Sequence, residues 1–403
     1  MRRIADGVFY GMTSAERMFS GWSGLCATVL LGLLLLSPAS AGEIRITNDS
    51  LEHMDVGISG ALVSYITRAP EEELLQIFNL TDNRTSTIRS YSIPPSGGRT
   101  AESLCISGDR IAWVLYGNNT GSICLYNITT RRETLVASTA QHPDNLQLDG
   151  DWLIWNECQN RMYWIYDPVH GAVEVFDMVC SLYGCNLTTQ TNVLVTNMTG
   201  FDGEADLDRG RVVFRARPNS SHDLYLHNLA SGGLMQITND SADQYCPAIS
   251  GDYLVWEENP STGRAVFLYH IPNGELSPVT DNVTDSDIEG DLVVWLRHLP
   301  GDTALYAYSI STGGMMRITP RGAHLTGEYA LSDDYVVWRD WRSGENGSMN
   351  HQIRAAPLPA KGLPRGLADE NNSTRSNSIP HKFTAVPAMR TLAGQPVGSV
   401  KEL

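Results

Sequence analysis

The octapeptide ISGDYLVW, residues 249–256, indicates the fold, because the same pattern occurs seven times along the chain. Each copy has an apolar residue, a short polar turn, and an apolar run that ends on an aromatic residue. The copies are ISGALVSY (58–65), ISGDRIAW (106–113), LDGDWLIW (148–155), LDRGRVVF (207–214), ISGDYLVW (249–256), IEGDLVVW (288–295) and LSDDYVVW (331–338). A repeat of roughly 40 to 60 residues is typical of a propeller or another repeat architecture.

Each copy opens a unit of four predicted strands. In the fifth unit, Gly251 and Asp252 form the turn after a short first strand, and YLVWEEN is a second strand rich in β-branched and aromatic residues. AVFLYHI and LSPVT follow as the third and fourth strands. No stretch of residues 43–358 keeps a helical period.

Seven units of four strands predict an all-β fold, a seven-bladed β-propeller of residues 42–358. The seventh unit reaches HQIRAAPL (351–358) and then lacks a fourth strand, whereas EIRITNDS (43–50) precedes the first unit and matches LMQITNDS (234–241). We therefore expect the N-terminal strand to complete the last blade and leave no open edge there.

The stretch QITNDSADQYCPAISGDYLVWEEN (236–259) resembles the repeat of TolB-like propellers. The turns SGD, DGD, EGD and SDD are similar to those of exported envelope proteins of methanogenic archaea. The resemblance covers residues 43–358 and implies a binding or scaffold module at the cell envelope, although a fold alone does not fix a function.

The N-terminal segment predicts export. Residues 1–41 combine basic Arg2 and Arg3 with the apolar run LCATVLLGLLLL (25–36) and the small residues Ala39 and Ala41, which favours a signal peptide cleaved after Ala41. An uncleaved membrane anchor is the alternative, since no charge occurs from residue 18 to residue 42. Either reading places the protein outside the cell or at the cell surface. Residues 359–403 are rich in Pro, Gly, Asn and Ser, which predicts a disordered tail.

Glycosylation is a second sign of export. The chain contains thirteen Asn-x-Ser/Thr sequences, which predict a glycoprotein with these residues in surface loops. They begin at Asn48, Asn79, Asn83, Asn118, Asn127, Asn186, Asn197, Asn219, Asn239, Asn282, Asn346, Asn371 and Asn372. Turns rich in Asn, Ser and Thr are the alternative explanation.

Six cysteines follow the signal segment, and an even number in an exported chain permits disulfides. We predict that Cys180 pairs with Cys185 across CSLYGC, and that Cys105 pairs with Cys124 within one repeat. Buried free thiols are the alternative.

The loops that join each fourth strand to the next unit hold the richest set of polar residues. In a propeller these loops lie on one face around the axial channel, and we expect their acids and histidines to converge there. This predicted ligand or partner face consists of Asp55, Asp144, Glu204, Asp206, Asp243, Asp285, Asp287, Glu328, His53, His142 and His324. The face can bind a basic partner, hold a hard cation such as Ca²⁺, or form a solvated acidic rim with Asx turns.

No motif for a catalytic nucleophile, a metalloprotease or a phosphate-binding loop occurs in the chain. The net charge of −16 argues against nucleic-acid binding, which needs a basic face. We expect a non-enzymatic, exported binding or scaffold module without a cofactor, whose partner is a protein or glycan at the cell envelope. The alternatives are a propeller hydrolase or lyase that uses carboxylates and histidines at the channel mouth, and a structural envelope component.

Five of the seven copies end on a tryptophan, and one interpretation of these tryptophans is that they stack on a carbohydrate ligand. They occupy one phase of the repeat among Val, Leu and Ile, so we predict that they pack between blades. They are Trp113, Trp155, Trp256, Trp295 and Trp338.

Overall fold

The computed structural model describes residues 42–93, 100–117, 120–167, 171–218, 220–259, 264–341 and 351–358, without the side chains of 160–178. The predicted signal peptide (1–41) and tail (359–403) lie outside the described residues, as do Asn118, Asn219, Asn346, Asn371 and Asn372. Within the described ranges no helix is long and apolar enough to cross a bilayer.

Seven four-stranded antiparallel sheets form the blades of a β-propeller, which confirms the predicted fold class. Blade 1 consists of β2 (Glu52–Ser59), β3 (Leu62–Arg68), β4 (Glu72–Asn79) and β5 (Arg84–Ser92). Blade 2 consists of β6 (Ala101–Ser107), β7 (Arg110–Gly117), β8 (Thr120–Asn127) and β9 (Arg132–Thr139). Blade 3 consists of β10 (His142–Asp149), β11 (Trp152–Asp167), β12 (Gly171–Asn186) and β13 (Thr191–Thr196). Blade 4 consists of β14 (Ala205–Asp208), β15 (Arg211–Ala216), β16 (Asp223–Asn228) and β17 (Gly233–Gln236).

The remaining blades follow the same order along the chain. Blade 5 consists of β18 (Gln244–Ser250), β19 (Tyr253–Glu258), β20 (Ala265–His270) and β21 (Glu275–Asp281). Blade 6 consists of β22 (Thr284–Glu289), β23 (Leu292–Leu299), β24 (Asp302–Ser309) and β25 (Met315–Arg317). Blade 7 consists of β26 (Leu325–Leu331), β27 (Tyr335–Asp340), β28 (Gln352–Pro357) and the N-terminal β1 (Ile44–Arg45). The first strands of neighbouring blades contact one another around the ring, so they line the axial channel.

The predicted closure of the ring is confirmed. β1 pairs antiparallel with β28, with Ile44 opposite Ala355 and Arg45 opposite Arg354. The Ile46 N–H extends this pairing by donating to the Ile353 carbonyl at 3.0 Å. The first and last strands of the propeller therefore share one sheet, and the edge of blade 7 is covered.

The core consists of seven apolar clusters, one at each joint between neighbouring blades. Each cluster contains one aromatic residue of the repeat series, in ring order Tyr65, Trp113, Trp155, Phe214, Trp256, Trp295 and Trp338. Trp256, for example, is 2% exposed and shares its cluster with Val213 and Leu224 of blade 4. The prediction that the tryptophans pack between blades is confirmed.

Three of these tryptophans find their hydrogen-bond acceptor two residues further along the same strand. The indole N–H groups of Trp155 and Trp256 donate to the carboxylates of Glu157 and Glu258 at 3.0 and 2.9 Å. Trp338 Nε1 lies 3.4 Å from an oxygen of Asp340 in the same way. Alternation along a strand puts residues i and i+2 on one face, so a Trp-x-acid sequence satisfies the buried indole locally.

Trp295 departs from this pattern and marks an exception in the core. Arg297 stands two residues after it, and the buried Trp295 Nε1 has no hydrogen-bond partner. Trp113 uses a different acceptor, the hydroxyl of Tyr91, at 3.2 Å.

Both predicted disulfides are wrong. The structure instead joins Cys158 of β11 to Cys180 of β12, which are directly opposite each other in the ladder. Cys180 and Cys185 lie five residues apart on one extended strand, roughly 16 Å at about 3.3 Å per residue, which is too far for a bond. Cys105 and Cys124 lie on β6 and β8, which flank β7, and both are free thiols along with Cys185.

The middle strands of blade 3 are the reason why Cys158 and Cys180 are partners. Its second and third strands have 16 residues each, and their ladder continues to the pair Asp167 and Gly171. Blade 3 thus contains an insertion relative to the other blades. The insertion lengthens a hairpin, so Cys180 lies within a strand and pairs across the ladder.

The predicted glycosylation sites that the structure describes are all at least partly accessible. Asn48, Asn83, Asn197, Asn239 and Asn282 are exposed, and Asn79, Asn127 and Asn186 are half-buried. The last three form Asx turns, as when Asn186 Oδ1 accepts the N–H of Thr188 at 3.1 Å. Accessibility is consistent with modification, and whether these residues carry glycans stays a prediction.

Candidate functional site

A β-bulge near the start of the first strand recurs in six of the blades and directs side chains to the channel mouth. The register shifts in β2, β6, β10, β18, β22 and β26. In five of these strands the bulge contains a non-glycine residue with positive φ, namely Asp55, Ser103, Asn145, Cys246 and Asp285. Bulges bend a strand and change the direction of a side chain. We call this end of the channel the entry end, because the first strands begin there.

A cavity of about 600 Å³ lies at the entry end, between the first strands of blades 1 to 4. Its acidic lining comes from Asp55, Asp144, Asp202 and Glu204, and His142 stands at its edge. Val56, Leu104 and Leu146 contribute apolar surface, and Ser103, Asn145, Asn156, Cys158 and Gly203 complete the lining. The cavity is thus a concave, partly apolar site with a few convergent polar groups, as binding sites usually are.

The acids of the cavity differ in the hydrogen bonds and ion pairs that they form within the protein. Asp202 accepts hydrogen bonds from the Arg215 guanidinium, which also lies 3.1 Å from Glu204 Oε2. Asp144 Oδ1 accepts the Ser103 hydroxyl at 2.6 Å and the Asn145 N–H at 2.7 Å, which leaves Oδ2 without a hydrogen bond. Arg215 therefore offsets part of the charge of Asp202 and Glu204, and His222 Nε2 lies 3.6 Å from Asp202 Oδ2.

His142 is held in a defined position beside the cavity. Its ring stacks on Tyr116 with centroids 4.1 Å apart, and its Nε2 lies 3.3 Å from Glu102 Oε1. The Tyr116 hydroxyl donates to the Pro143 carbonyl at 2.8 Å, which fixes the stacking partner. A histidine oriented by a carboxylate is an arrangement that can transfer protons.

The structure brings four of the predicted face residues together in this cavity: Asp55, Asp144, Glu204 and His142. Asp285 and Glu328 follow the same phase of the repeat in blades 6 and 7. Asp285 contributes its carbonyl to the Tyr329 hydroxyl, and Glu328 accepts the Val56 N–H at 2.6 Å and pairs with Arg339.

Three predicted face residues do not line the cavity. His53 is only 1% exposed and is held by Thr67 and Asp49, so its prediction as a face residue is wrong. Asp243 pairs with His222, and His324 packs against Trp341 with ring centroids 4.8 Å apart. Acidic or basic character alone did not separate these positions from the channel mouth.

Sequence reasoning also missed four polar residues of the cavity, which are Ser103, Asn145, Asn156 and Asp202. Ser103 and Asn145 stand three residues before the Ile or Leu that begins each octapeptide, as Asp55 does. Repeat phase was therefore the signal that could have found them, because it is independent of charge.

Asp206 and Asp287 lie deeper in the channel, one residue before the start of each octapeptide. Burial and the nearby Asp287 carboxylate raise the pKa of Asp206 to about 7. Burial likewise raises the pKa of Asp287 to about 6. Two carboxylates that interact in a buried place resist ionising together.

A ring of hydrogen bonds between blades closes the opposite end of the channel, which we call the turn end. The second residue of each octapeptide accepts from a backbone N–H of the next blade in five joints. These contacts are Ser59 with Gly108 (2.9 Å), Ser107 with Gly150 (3.4 Å), Asp149 with Arg209 (2.6 Å), Asp208 with Gly251 (3.2 Å) and Ser250 with Gly290 (3.0 Å). At the joint of blades 7 and 1, the Ser332 hydroxyl donates to the Gly60 carbonyl at 3.1 Å.

The joint between blades 6 and 7 lacks this contact. Glu289 holds the equivalent position and accepts no hydrogen bond there. Burial, followed by the charge of Asp333 and then of Asp208, raises the pKa of Glu289 to about 7. The ionised form of the Glu289 carboxylate is therefore disfavoured in the folded protein.

We expect Glu289→Gln to raise the free energy of unfolding at pH 8 by about 1–2 kcal/mol, after allowance for solvent screening. The native pKa values of Glu289, Asp206 and Asp287 exceed their ordinary values, so between roughly pH 4 and 7 the folded state binds more protons than the unfolded state. This contribution to stability is full below pH 4 and is lost as the pH rises through 7. Urea unfolding of both proteins at pH 5 and pH 8 measures it.

The exposed Asp252→Asn variant is the control for that experiment, because Asp252 lies in a turn with 65% of its side chain exposed. Its stability should change by less than about 0.5 kcal/mol at both pH values. An equal effect of Glu289→Gln at pH 5 and pH 8 would contradict the electrostatic explanation.

Among the described residues, no three His, Cys, Asp or Glu side chains are arranged to hold a metal ion. A bound Ca²⁺ at the acidic face stays a prediction from the sequence.

No protein-family model matches the sequence, and no curated protein is similar enough in sequence to match. Solved structures do match in fold. The β-propeller domain of the trilobed protease from Pyrococcus furiosus aligns at a TM-score of 0.56 and 14% identity, over 80% of this chain and 99% of that domain. That domain has an open velcro topology, whereas β1 completes blade 7 here.

Two further structures belong to enzymes. Acylaminoacyl peptidase from Pyrococcus horikoshii aligns at a TM-score of 0.56 and 14% identity over 75% of this chain, which spans only 50% of the peptidase. Oligogalacturonate lyase from Vibrio parahaemolyticus aligns at 0.53 and 13% identity, over 80% of this chain and 95% of the lyase. TolB from Acinetobacter baumannii also matches, but its TM-score of 0.39 carries no argument.

These findings correct one prediction and limit another. The expectation that the protein is not an enzyme, which rested on the absence of catalytic motifs, is contradicted, because the propellers that it resembles in fold belong to a peptidase, a protease and a lyase. The propeller fold implied by the resemblance to TolB-like repeats is shown, and the likeness to archaeal envelope proteins stays a prediction. At identities near 14% the likeness shows the fold alone, and the chain has the fold of a closed seven-bladed β-propeller.

Proposed function

We propose that the protein is an exported surface propeller that binds a partner, a protein or glycan of the cell envelope, in the acidic cavity at the entry end of its channel. The observation that carries this proposal is the convergence of Asp55, Asp144 and Glu204 from three different blades on one open cavity of about 600 Å³. The repeat alone would give a cyclic set of similar loops. Only blades 1 to 4 line this cavity, so it differs from the rest of the ring.

The position of the acids beside apolar side chains favours a binding site over a purely solvated acidic rim. The apolar side chains of Val56, Leu104 and Leu146 lie beside the acids and are buried in the described structure. A cavity that combines an apolar surface with polar groups can desolvate part of a ligand and orient it. The export sequence at residues 1–41 supports an envelope location for the partner.

A direct test compares the wild-type protein with Asp144→Asn in binding to fractionated envelope proteins and polysaccharides. We expect the substitution to weaken binding of the retained component about tenfold, because one charge-assisted contact contributes on the order of 1.5–3 kcal/mol. Asp151→Asn is the matched control, since Asp151 lies at the turn end with 57% of its side chain exposed. Equal binding by all three proteins would contradict the proposed site.

A hydrolase or lyase is the second candidate, and one specific observation favours it. His142 stands at the edge of the cavity with Glu102 3.3 Å from its Nε2, so it can act as a general acid or base on a bound ligand. Incubating the retained component with wild-type protein and with His142→Gln tests this candidate. Product formation that His142→Gln reduces by a factor of about 100 or more, with binding retained, would establish catalysis, and unchanged turnover would exclude His142 from it.

A further inference from the structure

We propose that the ligand group bound in this cavity is a primary ammonium at the end of an aliphatic chain, as in a lysine side chain or an aliphatic diamine. This inference rests on the proposed function, because it names the chemistry of the ligand for the same cavity. It is carried by three features of the wall: an apolar strip, an unsatisfied buried acceptor, and the Asp144 carboxylate, one oxygen of which accepts no hydrogen bond from the described residues.

The apolar strip comes from the residue that follows the bulge in blades 1, 2 and 3. Val56, Leu104 and Leu146 are 8%, 7% and 6% exposed, and all three line the cavity. Methylene groups lying on this strip would lose contact with water, which favours their binding there. An inorganic cation would leave the strip unused.

The unsatisfied acceptor is Asn156 Oδ1. Asn156 lines the cavity, is 3% exposed, and donates from Nδ2 to the Gly203 carbonyl at 2.7 Å. That hydrogen bond fixes the orientation of the amide, and its Oδ1 has no hydrogen-bond partner among the described residues. A buried acceptor without a donor is costly, and an N–H group of a ligand would satisfy it.

The carboxylates set the charge of the group that fits. Of the cavity acids, Asp202 and Glu204 share Arg215, and Asp202 also lies 3.6 Å from His222 Nε2, whereas Asp144 keeps one oxygen without a hydrogen bond from the described residues. The Glu102 carboxylate lies 3.3 Å from His142 Nε2 at the same cavity. An ammonium supplies three donors and a positive charge, so it matches Asn156 and Asp144 together, whereas a neutral hydroxyl or an anion does not.

Isothermal titration of the full chain at pH 8 tests this proposal with four probes. They are an end-blocked tripeptide with a central lysine, the same peptide with Nε-acetyl-lysine, the same peptide with norleucine, and cadaverine. We expect the lysine peptide to bind at least tenfold more tightly than either uncharged peptide. Cadaverine distinguishes a free diamine from a lysine side chain as the ligand. If cadaverine binds as tightly as the lysine peptide, the ligand is a free diamine. If it binds much more weakly, the ligand is a peptide side chain.

Two variants test whether the lysine peptide binds in this cavity. Asn156→Leu removes the unsatisfied acceptor, and Asp144→Asn removes the charge while keeping the size, so each should weaken lysine-peptide binding about tenfold. Asp144→Asn also serves if Asn156→Leu does not fold, because Asp144 is exposed. Asp151→Asn at the turn end should bind as the wild type does.

The outcomes separate this inference from the proposed function. If the uncharged peptides bind as well as the lysine peptide, or if no ammonium probe binds, the inference is overturned. The proposed function then still stands or falls on the envelope component whose binding Asp144→Asn weakens. Ammonium binding that neither Asn156→Leu nor Asp144→Asn changes would also overturn the inference, since the group would be bound elsewhere.

Discussion

Removing Glu43–Ser50 should lower the free energy of unfolding by at least about 4 kcal/mol and the melting temperature by on the order of 10 °C. The deletion exposes the edge of β28, abolishes the bonds between Ile46 and Ile353, and removes Ile44 and Ile46 from the cluster between blades 7 and 1. Calorimetry of the wild-type and truncated proteins measures the change.

A single substitution refines that experiment. Ile46→Pro keeps the chain length but removes the N–H that donates to the Ile353 carbonyl at 3.0 Å, so it should destabilise the protein in the same direction by a smaller amount. If neither change affects the melting temperature, β1 does not hold the ring closed.

Trp256→Ala should cost about 3–5 kcal/mol of unfolding free energy, the usual cost of removing a large side chain from a core. Trp256 is 2% exposed, packs in the cluster that joins blades 4 and 5, and donates to Glu258 at 2.9 Å. Its loss leaves a cavity between two blades and removes one hydrogen bond to the Glu258 carboxylate. Denaturant unfolding measures the cost.

Trp341→Ala is the matched control for Trp256→Ala, since Trp341 is 41% exposed and its loss should cost less than about 1 kcal/mol. The folded fraction of Trp256→Ala should bind ligand as the wild type does. Normal stability with lost binding would mean that Trp256 belongs to a binding site, contrary to its place in the structure.

The architecture could be predicted because the repeat carries it. The octapeptides place an aromatic residue at one phase of each unit, and the match of residues 43–50 with 234–241 showed which strand was missing from blade 7. Both signals come from local alternation and periodicity, which the sequence contains in full.

The disulfide and the site could be predicted only in part. Cys158 and Cys180 are partners because an inserted hairpin aligns them, and ladder register is not readable from spacing alone. The candidate cavity depends on where a bulge directs a side chain, so polar Ser103 and Asn145 lie in it while His53 is buried. Acidic character in the sequence indicated Asp55, Asp144 and Glu204, but not Ser103 or the amides of Asn145 and Asn156.

The central claim is that the cavity at the entry end binds the ligand, and cross-link mapping tests it most directly. A lysine peptide with a photoreactive diazirine beside the lysine is irradiated with the protein, and the modified segments are identified by mass spectrometry. We predict labels on the segments that contain Ser103–Leu104, His142–Leu146 and Asp202–Glu204, competed by unlabelled peptide. Competed labels confined to the turn end, around Ser107, Gly150 and Asp208, would contradict the claim.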